Sequence, residues 1–288
     1  MDKHLVSTII SKYSGKIEKI QITPLMEGTI HQVSLIIAGH HKFVLKLTDI
    51  SNNDMFEKEV KGLELLRNAN CIRIPQTIGN GTMDGVAFIV MEYINRSACN
   101  AAFWKDFGLR LANLHKMNDA AFGLHFDNYI GSLLQYNNFK KDGIEFFIKN
   151  RLMPQVELAV KNSLLTKKLE DLFCKLYNKM PDLIPQEPAS LLHGDLWSGN
   201  FLCDEKGAVV LIDPAMYYGL REAELAFTYL FGGFDSQFYN SYHEAFPLVP
   251  GFSKRIDLYN LYPLLVHLNL FGISYLNQIK NILQKFTN

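Results

Sequence analysis

The stretch LLHGDLWSGNFLCDEKGAVVLIDP, residues 191–214, decides how the chain is read. Two short apolar strands, Asn200–Cys203 and Ala208–Ile212, flank a turn at Asp204–Gly207. Ahead of them lies a loop rich in polar residues and glycine. Three oxygen-bearing side chains stand at defined points of this stretch: Asp195, Asn200 and Asp213. Taken singly, Asp195 or Asn200 could be no more than a turn cap. Together they supply the groups phosphoryl transfer needs. One Asp takes the proton of an attacking hydroxyl, an Asn holds magnesium, and a second Asp bridges magnesium to the nucleotide phosphates. Magnesium favours a few such oxygens, with phosphate and water completing its octahedron.

The D-x-x-x-x-N spacing from Asp195 to Asn200 is that of a kinase catalytic loop. It directs attention upstream, to a lysine on a strand. In Lys42–Leu47, Phe43, Leu45 and Leu47 alternate onto one face, while Val44 and Lys46 share the other. Lys46 in mid-strand suits a phosphate contact, although a lone strand lysine more often faces solvent. On the helix that follows, Glu59 falls inside the apolar arc formed by Phe56, Leu63 and Leu66. A carboxylate on that side needs a partner, and Lys46 supplies one. Glu57 is placed instead for a solvated pair with Lys61. The loop Pro24–His31 carries a single glycine, Gly28, followed by Thr29. It has neither G-x-G-x-x-G nor a Walker A motif, so its position ahead of Lys46 is what makes it the candidate phosphate cover. Glu92, Tyr93 and Ile94 close a strand where a kinase hinge would offer backbone groups to adenine.

Working outward, the first third reads as strands with one inserted helix. The strand-like runs are Lys16–Ile22, His31–Ala38, Lys42–Thr48, Ile74–Gly79 and Val86–Tyr93. The helix is expected to start from an Asp54 cap and run to about Asn68. Beyond Ile94, apolar residues recur at helical spacing in Trp104–Met117, Gly143–Leu165, Lys167–Met180 and Ile256–Gln284. The pattern predicts an α+β fold of protein-kinase-like, two-lobed type. Residues 1–93 form a small strand-rich nucleotide lobe, and residues 94–288 a larger helical lobe.

Composition sets the outer bounds. The chain has 288 residues, 48% of them hydrophobic and 20% charged, with no formal net charge. That is globular composition, with no global pull toward nucleic acid or an acidic membrane surface. The residues from Met1 to Gly15 lack the apolar block of a signal peptide, and no apolar run suits a bilayer span. The four cysteines, Cys71, Cys99, Cys174 and Cys203, are scattered. They suit a reducing cytoplasm, each read as a small buried apolar residue.

With these residues assembled, the chain resembles the fructosamine kinase (ketosamine-3-kinase) family, relatives of the aminoglycoside and choline kinases. The resemblance spans nearly the whole chain. It is carried by GLRLANLH (108–115), Arg151-Leu152 with Pro154, HGDLWSGN (193–200), IDPAMYYGLREAELA (212–226) and LVHLNLFG (265–272). It implies ATP- and magnesium-dependent phosphorylation of a ketosamine, free or protein-bound, on the oxygen of the third sugar carbon, after which the amine is released. By resemblance Asp195 is the base, Asn200 and Asp213 bind magnesium, and Lys46 with Glu59 positions the ATP phosphates. Trp197 would stack on the sugar and His267 would lie near the substrate. Core packing competes as a reading for Trp197, as does a satisfied buried histidine for His267. The chain departs from the family pattern at Glu27, Leu220, Glu224 and Gly143. Arg221 and Glu222 are expected to hold shape by ion pairing. An aminoglycoside or choline-type kinase, or an inactive kinase-fold binding protein, is the alternative.

Overall fold

The computed structural model describes residues 2–15, 19–27 and 31–287, with only the backbone described at Met26 and Glu27. Gly28 and Thr29 therefore lie outside the described residues, as does the side chain of Glu27. The first elements are α1 (Lys3–Ser14), β1 (Ile20–Glu27), β2 (Gln32–Ala38), β3 (His41–Asp49), α2 (Asn53–Asn68), β4 (Thr77–Met83) and β5 (Val86–Glu92). Next come α3 (Ala101–His115), β6 (Asn118–Asp119), β7 (Asn128–Ile130), β8 (Leu133–Gln135), α4 (Gly143–Phe146), α5 (Met153–Lys161) and α6 (Lys167–Leu183). The remainder are β9 (Ala189–Leu192), β10 (Phe201–Cys203), β11 (Val209–Leu211), β12 (Tyr217–Gly219), α7 (Arg221–Leu230), α8 (Ser236–Ala245), α9 (Phe252–Phe271) and α10 (Leu276–Thr287). They fall into two compact units. One comprises residues 1–98 with 202–213, and the other residues 99–201 with 214–288.

The first unit is built on an antiparallel sheet of order β1-β2-β3-β5-β4. Pro24 sits on edge strand β1, where its missing N–H is tolerated, and the register slips between Pro24 and Met26. On one face Val6, Ile9 and Ile10 of α1 pack against Ile36, Leu45, Phe88 and Val90. Helix α1 is absent from the sequence reading, although its apolar positions have helical spacing and the Asp2 side chain caps it by accepting from His4 N at 2.9 Å. Helix α2 starts one residue before its expected Asp54 cap. Asp54 lies in the first turn, 3.6 Å from Lys58 Nζ. Glu57 accepts from Asn53 Nδ2 at 2.7 Å. The hairpin at residues 202–213 belongs to this unit. Val210 makes a parallel bridge to Arg73, and Ser97 N donates to Cys203 O at 2.9 Å.

The second unit is mostly helical. Helix α3 packs on α8, and α7 on α9. Gly108 allows the first contact, because a Cβ there would stand 2.2 Å from Phe238 O. A small sheet of order β12-β9-β6 carries buried Leu191 and Leu192 into the loop at His193. Two expected helices are interrupted. Residues 143–161 contain a π-helical turn, Phe147–Leu152, between α4 and α5. The long C-terminal helix stops at Gly272, whose φ of 89° lies in the region that favours glycine. Among the described residues no helix is long and apolar enough to cross a membrane. The cysteines also depart from expectation. Cys203 is buried, but Cys71 is half-buried and Cys99 and Cys174 are exposed.

Candidate active site

The first unit holds a cleft of about 700 Å³. Antiparallel pairing puts Lys46 opposite both Val33 and Ile89, and Val44 opposite Met91. These side chains share the sheet face away from α1, and Val33, Val44, Lys46 and Met91 line the cleft. Leu202 and Ile212 add apolar wall from the hairpin. The polar end consists of Lys46 and Asp213. Lys46 Nζ donates to Glu59 Oε1 at 2.7 Å and to Asp213 Oδ1 at 2.5 Å. The lysine is buried, and burial alone would lower its pKa. Asp213, and after it Glu59, hold it well above the ordinary lysine value, so the cation persists. Burial pushes Glu59 up, against the opposing pull of Lys46.

Asp213 has φ 54°, a left-handed backbone for a non-glycine residue. Asp tolerates this region better than most residues, and such conformations cluster at functional sites. Its side chain is tied to Lys46 through Oδ1. Glu92, Tyr93 and Ile94 also line the cleft. The Glu92 N–H is spent on Gln76 O at 2.9 Å, however, so Glu92 has no backbone donor to offer a base. Its carboxylate accepts from Arg73 and from Gln76 N. Arg73 also donates to buried Asp204 at 2.6 Å. One guanidinium thereby ties the end of β5 to the hairpin. The sequence reading missed Arg73 and Asp204, because their partners are 19 and 131 residues away.

The second unit holds a cavity of about 450 Å³. Asp195 lines it together with Tyr217, Tyr259, Tyr262, Phe227 and His267. The Asn200 amide nitrogen donates to Asp195 O and to Asp195 Oδ2, both at 2.8 Å. A six-residue loop is closed in this way, and the carboxylate orientation is fixed. The amide oxygen of Asn200 is left as the atom it could offer a cation. Asp213 likewise has one carboxylate oxygen on Lys46 and a second to offer. An amide oxygen and carboxylates are hard donors of the kind magnesium takes, so these side chains fit that ion. Among the described residues no group of three or more His, Cys, Asp or Glu could hold a metal by itself.

Glu224 pins this loop from behind. It accepts from Gly194 N at 2.6 Å and His193 N at 3.1 Å, and pairs with His115 Nε2 at 2.9 Å. Burial would raise this carboxyl. The hydrogen bond and charge of His115, with His193 and the Gly194 N–H, hold it below the ordinary glutamate value. In the sequence Glu224 stood out only as a departure from a family pattern. An acid set among the apolar residues Ala223, Leu225 and Ala226 is the signal the sequence offers. Arg221 and Glu222 both form ion pairs, with Glu187 and Arg255 respectively. Two further departures, Gly143 and Leu220, are neighbours: a Cβ at 143 would stand 2.8 Å from Leu220 and 2.6 Å from Phe122.

Trp197 is half-buried, and its ring folds over Gly199, where a Cβ would fall 2.4 Å from it. That clash explains the small residue in the middle of WSGN. Trp197 meets Phe231 edge-on at 6.2 Å between ring centroids, and Phe231 meets His267 at 4.9 Å. His267 contacts Pro263 O through Nδ1 at 2.7 Å. Burial lowers its pKa, which leaves the ring neutral at neutral pH.

Residues 1–288 match the family model described as fructosamine kinase. The chain belongs to the fructosamine kinase family. It is 35% identical over 285 residues to an Enterococcus faecium protein named "Probable ketoamine kinase", covering 98% of this chain and 99% of that one. It is 37% identical over 286 residues to the chloroplastic protein-ribulosamine 3-kinase of Oryza sativa subsp. japonica, covering 94% of this chain and 80% of the rice protein. Among solved structures, a Haemophilus somnus 129PT protein that carries the fructosamine-3-kinase name superposes with a TM-score of 0.88. The two are 27% identical, covering 98% of this chain and 97% of that chain. The aminoglycoside phosphotransferase APH(4)-Ia, 13% identical, superposes with a TM-score of 0.64 over 97% of each chain, a likeness of fold alone. The fold of this fructosamine kinase family member is the protein-kinase-like α+β fold.

Proposed function

We propose that the protein is an ATP- and magnesium-dependent kinase that phosphorylates ketosamines on the oxygen of the third sugar carbon, with deglycation of amines or proteins as the outcome. Asp195 carries the reading. Its carboxylate is oriented by Asn200 and lines a cavity with aromatic walls and few polar groups, the mixed surface a sugar needs. The hydroxyl of the acceptor gives its proton to Asp195 as its oxygen bonds to the γ-phosphorus. The bond from that phosphorus to the bridging oxygen breaks, and ADP leaves. Lys46, held by Glu59, binds ATP phosphate oxygens, while residues 92–94 and the apolar walls of the first cleft take the base. Magnesium, held by Asn200 and Asp213, would neutralise charge building on the phosphoryl oxygens. Trp197 and His267 bound the acceptor site. Residues 1–93, joined by hairpin 202–213, serve as the nucleotide lobe. The scattered free thiols suit the reducing cytoplasm, which is the compartment proposed for this activity.

The test is ATP consumption with ribuloselysine, fructoselysine, choline and kanamycin side by side. Turnover on at least one ketosamine and neither other acceptor supports the proposal. Turnover on choline or kanamycin alone overturns it.

A further inference from the structure

Helix α9 ends in a way that surrounds one side chain with rings. Phe271 follows His267 by four residues, one turn along the same helix face, and their centroids are 5.4 Å apart. Gly272 then takes φ 89° and breaks the helix. The short turn Ile273–Tyr275 doubles back, so that Tyr275 also meets His267, at 5.1 Å. Phe231, from the end of α7, closes a third side at 4.9 Å. His267 itself lines the cavity that contains Asp195. The collar is open to solvent, with Phe271 57% exposed and Ile273 68% exposed. Large apolar side chains grouped in this way mark a binding surface more often than isolated exposed ones do.

We infer that the collar of Phe231, Phe271 and Tyr275, with Ile273 on the turn that joins the last two, is the subsite for the amine substituent of the ketosamine, and that it selects adducts of alkyl amines such as a lysyl ε-amine over adducts with a carboxylate beside the nitrogen. The inference rests on the ketosamine reading above. The amine nitrogen sits on the first sugar carbon, two carbon–carbon bonds from the carbon whose oxygen must reach Asp195. Its substituent leaves the cavity close to the reacting centre, and His267 is where the cavity wall and the collar meet. A ketosamine nitrogen is a secondary ammonium at neutral pH. Ring faces attract such a cation, and the neutral His267 does not repel it. An alkyl chain gains by covering the rings. A carboxylate in the same place would face the negative side of the rings and lose water without a partner.

The experiment compares wild type with the Phe271→Ser/Ile273→Ser double variant. Both positions are exposed enough for the change to leave packing intact. Substrates are the ribulosyl adducts of Nα-acetyl-lysine amide and of glycine, with ATP saturating. Wild type should favour the lysine adduct by about tenfold in kcat/KM, the lower end of what one apolar contact gives in enzyme discrimination. In the double variant the KM of the lysine adduct should rise and the preference fall to within about twofold, while the ATP KM stays in place. If wild type turns over ketosamines but shows no preference, or the double variant keeps it, the subsite is wrong and the proposed function stands. If wild type turns over no ketosamine, both are overturned.

Discussion

Glu224→Ala tests whether the loop bearing Asp195 is held from behind. The substitution removes one carboxylate that serves His193 N, Gly194 N and His115 Nε2. A buried N–H at His193, a half-buried N–H at Gly194 and a buried imidazole lose their acceptor. Removing one partner of a buried pair costs about 3–5 kcal/mol. At about 2–4 °C per kcal/mol for chains somewhat smaller than this one, melting should fall by roughly 6–20 °C. Asp195 is one residue beyond Gly194, so a loosened loop displaces the carboxylate. A shift of about 1 Å costs on the order of 10² in rate. The expected result is kcat down by about that factor while the KM for ATP changes by less than about threefold, because no ligand of the first cleft is touched. Glu224→Gln is the milder variant. Its amide oxygen still accepts from Gly194 N, but its NH₂ faces His193 N, leaving one buried N–H unpaired for about 1–3 kcal/mol. The folded pKa of Glu224 lies below the ordinary 4.5. Its charge therefore stabilises the fold above the unfolded pKa, and that contribution is lost as pH falls through the folded value. The melting gap between wild type and Glu224→Gln should be full at neutral pH and shrink in acid below about pH 4. Melting curves across pH, with steady-state kinetics at neutral pH, decide the matter. Wild-type kcat and melting in Glu224→Ala would refute the positioning role, and a gap constant down to pH 3 would refute the role of charge.

Asp195→Asn should leave ATP binding nearly intact and cut turnover by about 10² or more, as loss of a general base does; turnover within a fewfold of wild type counts against the base assignment. Asp213→Ala should abolish activity and weaken Mg-ATP binding more than metal-free ATP binding in calorimetry, whereas equal weakening would argue against a metal contact. Trp197→Ala should raise the ketosamine KM far more than the ATP KM. Gly199→Ala should reproduce it, because the new Cβ would stand 2.4 Å from the indole and displace it. The double variant should then be no worse than either single one, and additive losses would separate the two positions.

The local signals in the sequence were strong where chemistry demands fixed spacing. Asp195 and Asn200 are five residues apart, and the loop between them closes on itself through their side chains. Strand alternation put Lys46 on the face opposite Phe43, Leu45 and Leu47, and helix periodicity put Glu59 inside the apolar arc of α2. Those two periodicities suffice to bring Lys46 and Glu59 together, because they sit on successive elements. Whole elements were less secure. Residues 3–14 are too short and mixed in composition to announce their helix, and Gly272 interrupts an apolar pattern that otherwise predicts one continuous helix. What only the tertiary structure decided is contact between residues far apart in the chain. Lys46 and Asp213 are 167 residues apart, and Glu224 reaches His115 across 109. Over separations of that size no periodicity records which buried acid meets which buried donor. Each such partner is chosen by packing, because a polar group taken from water must be satisfied by whatever the fold brings beside it.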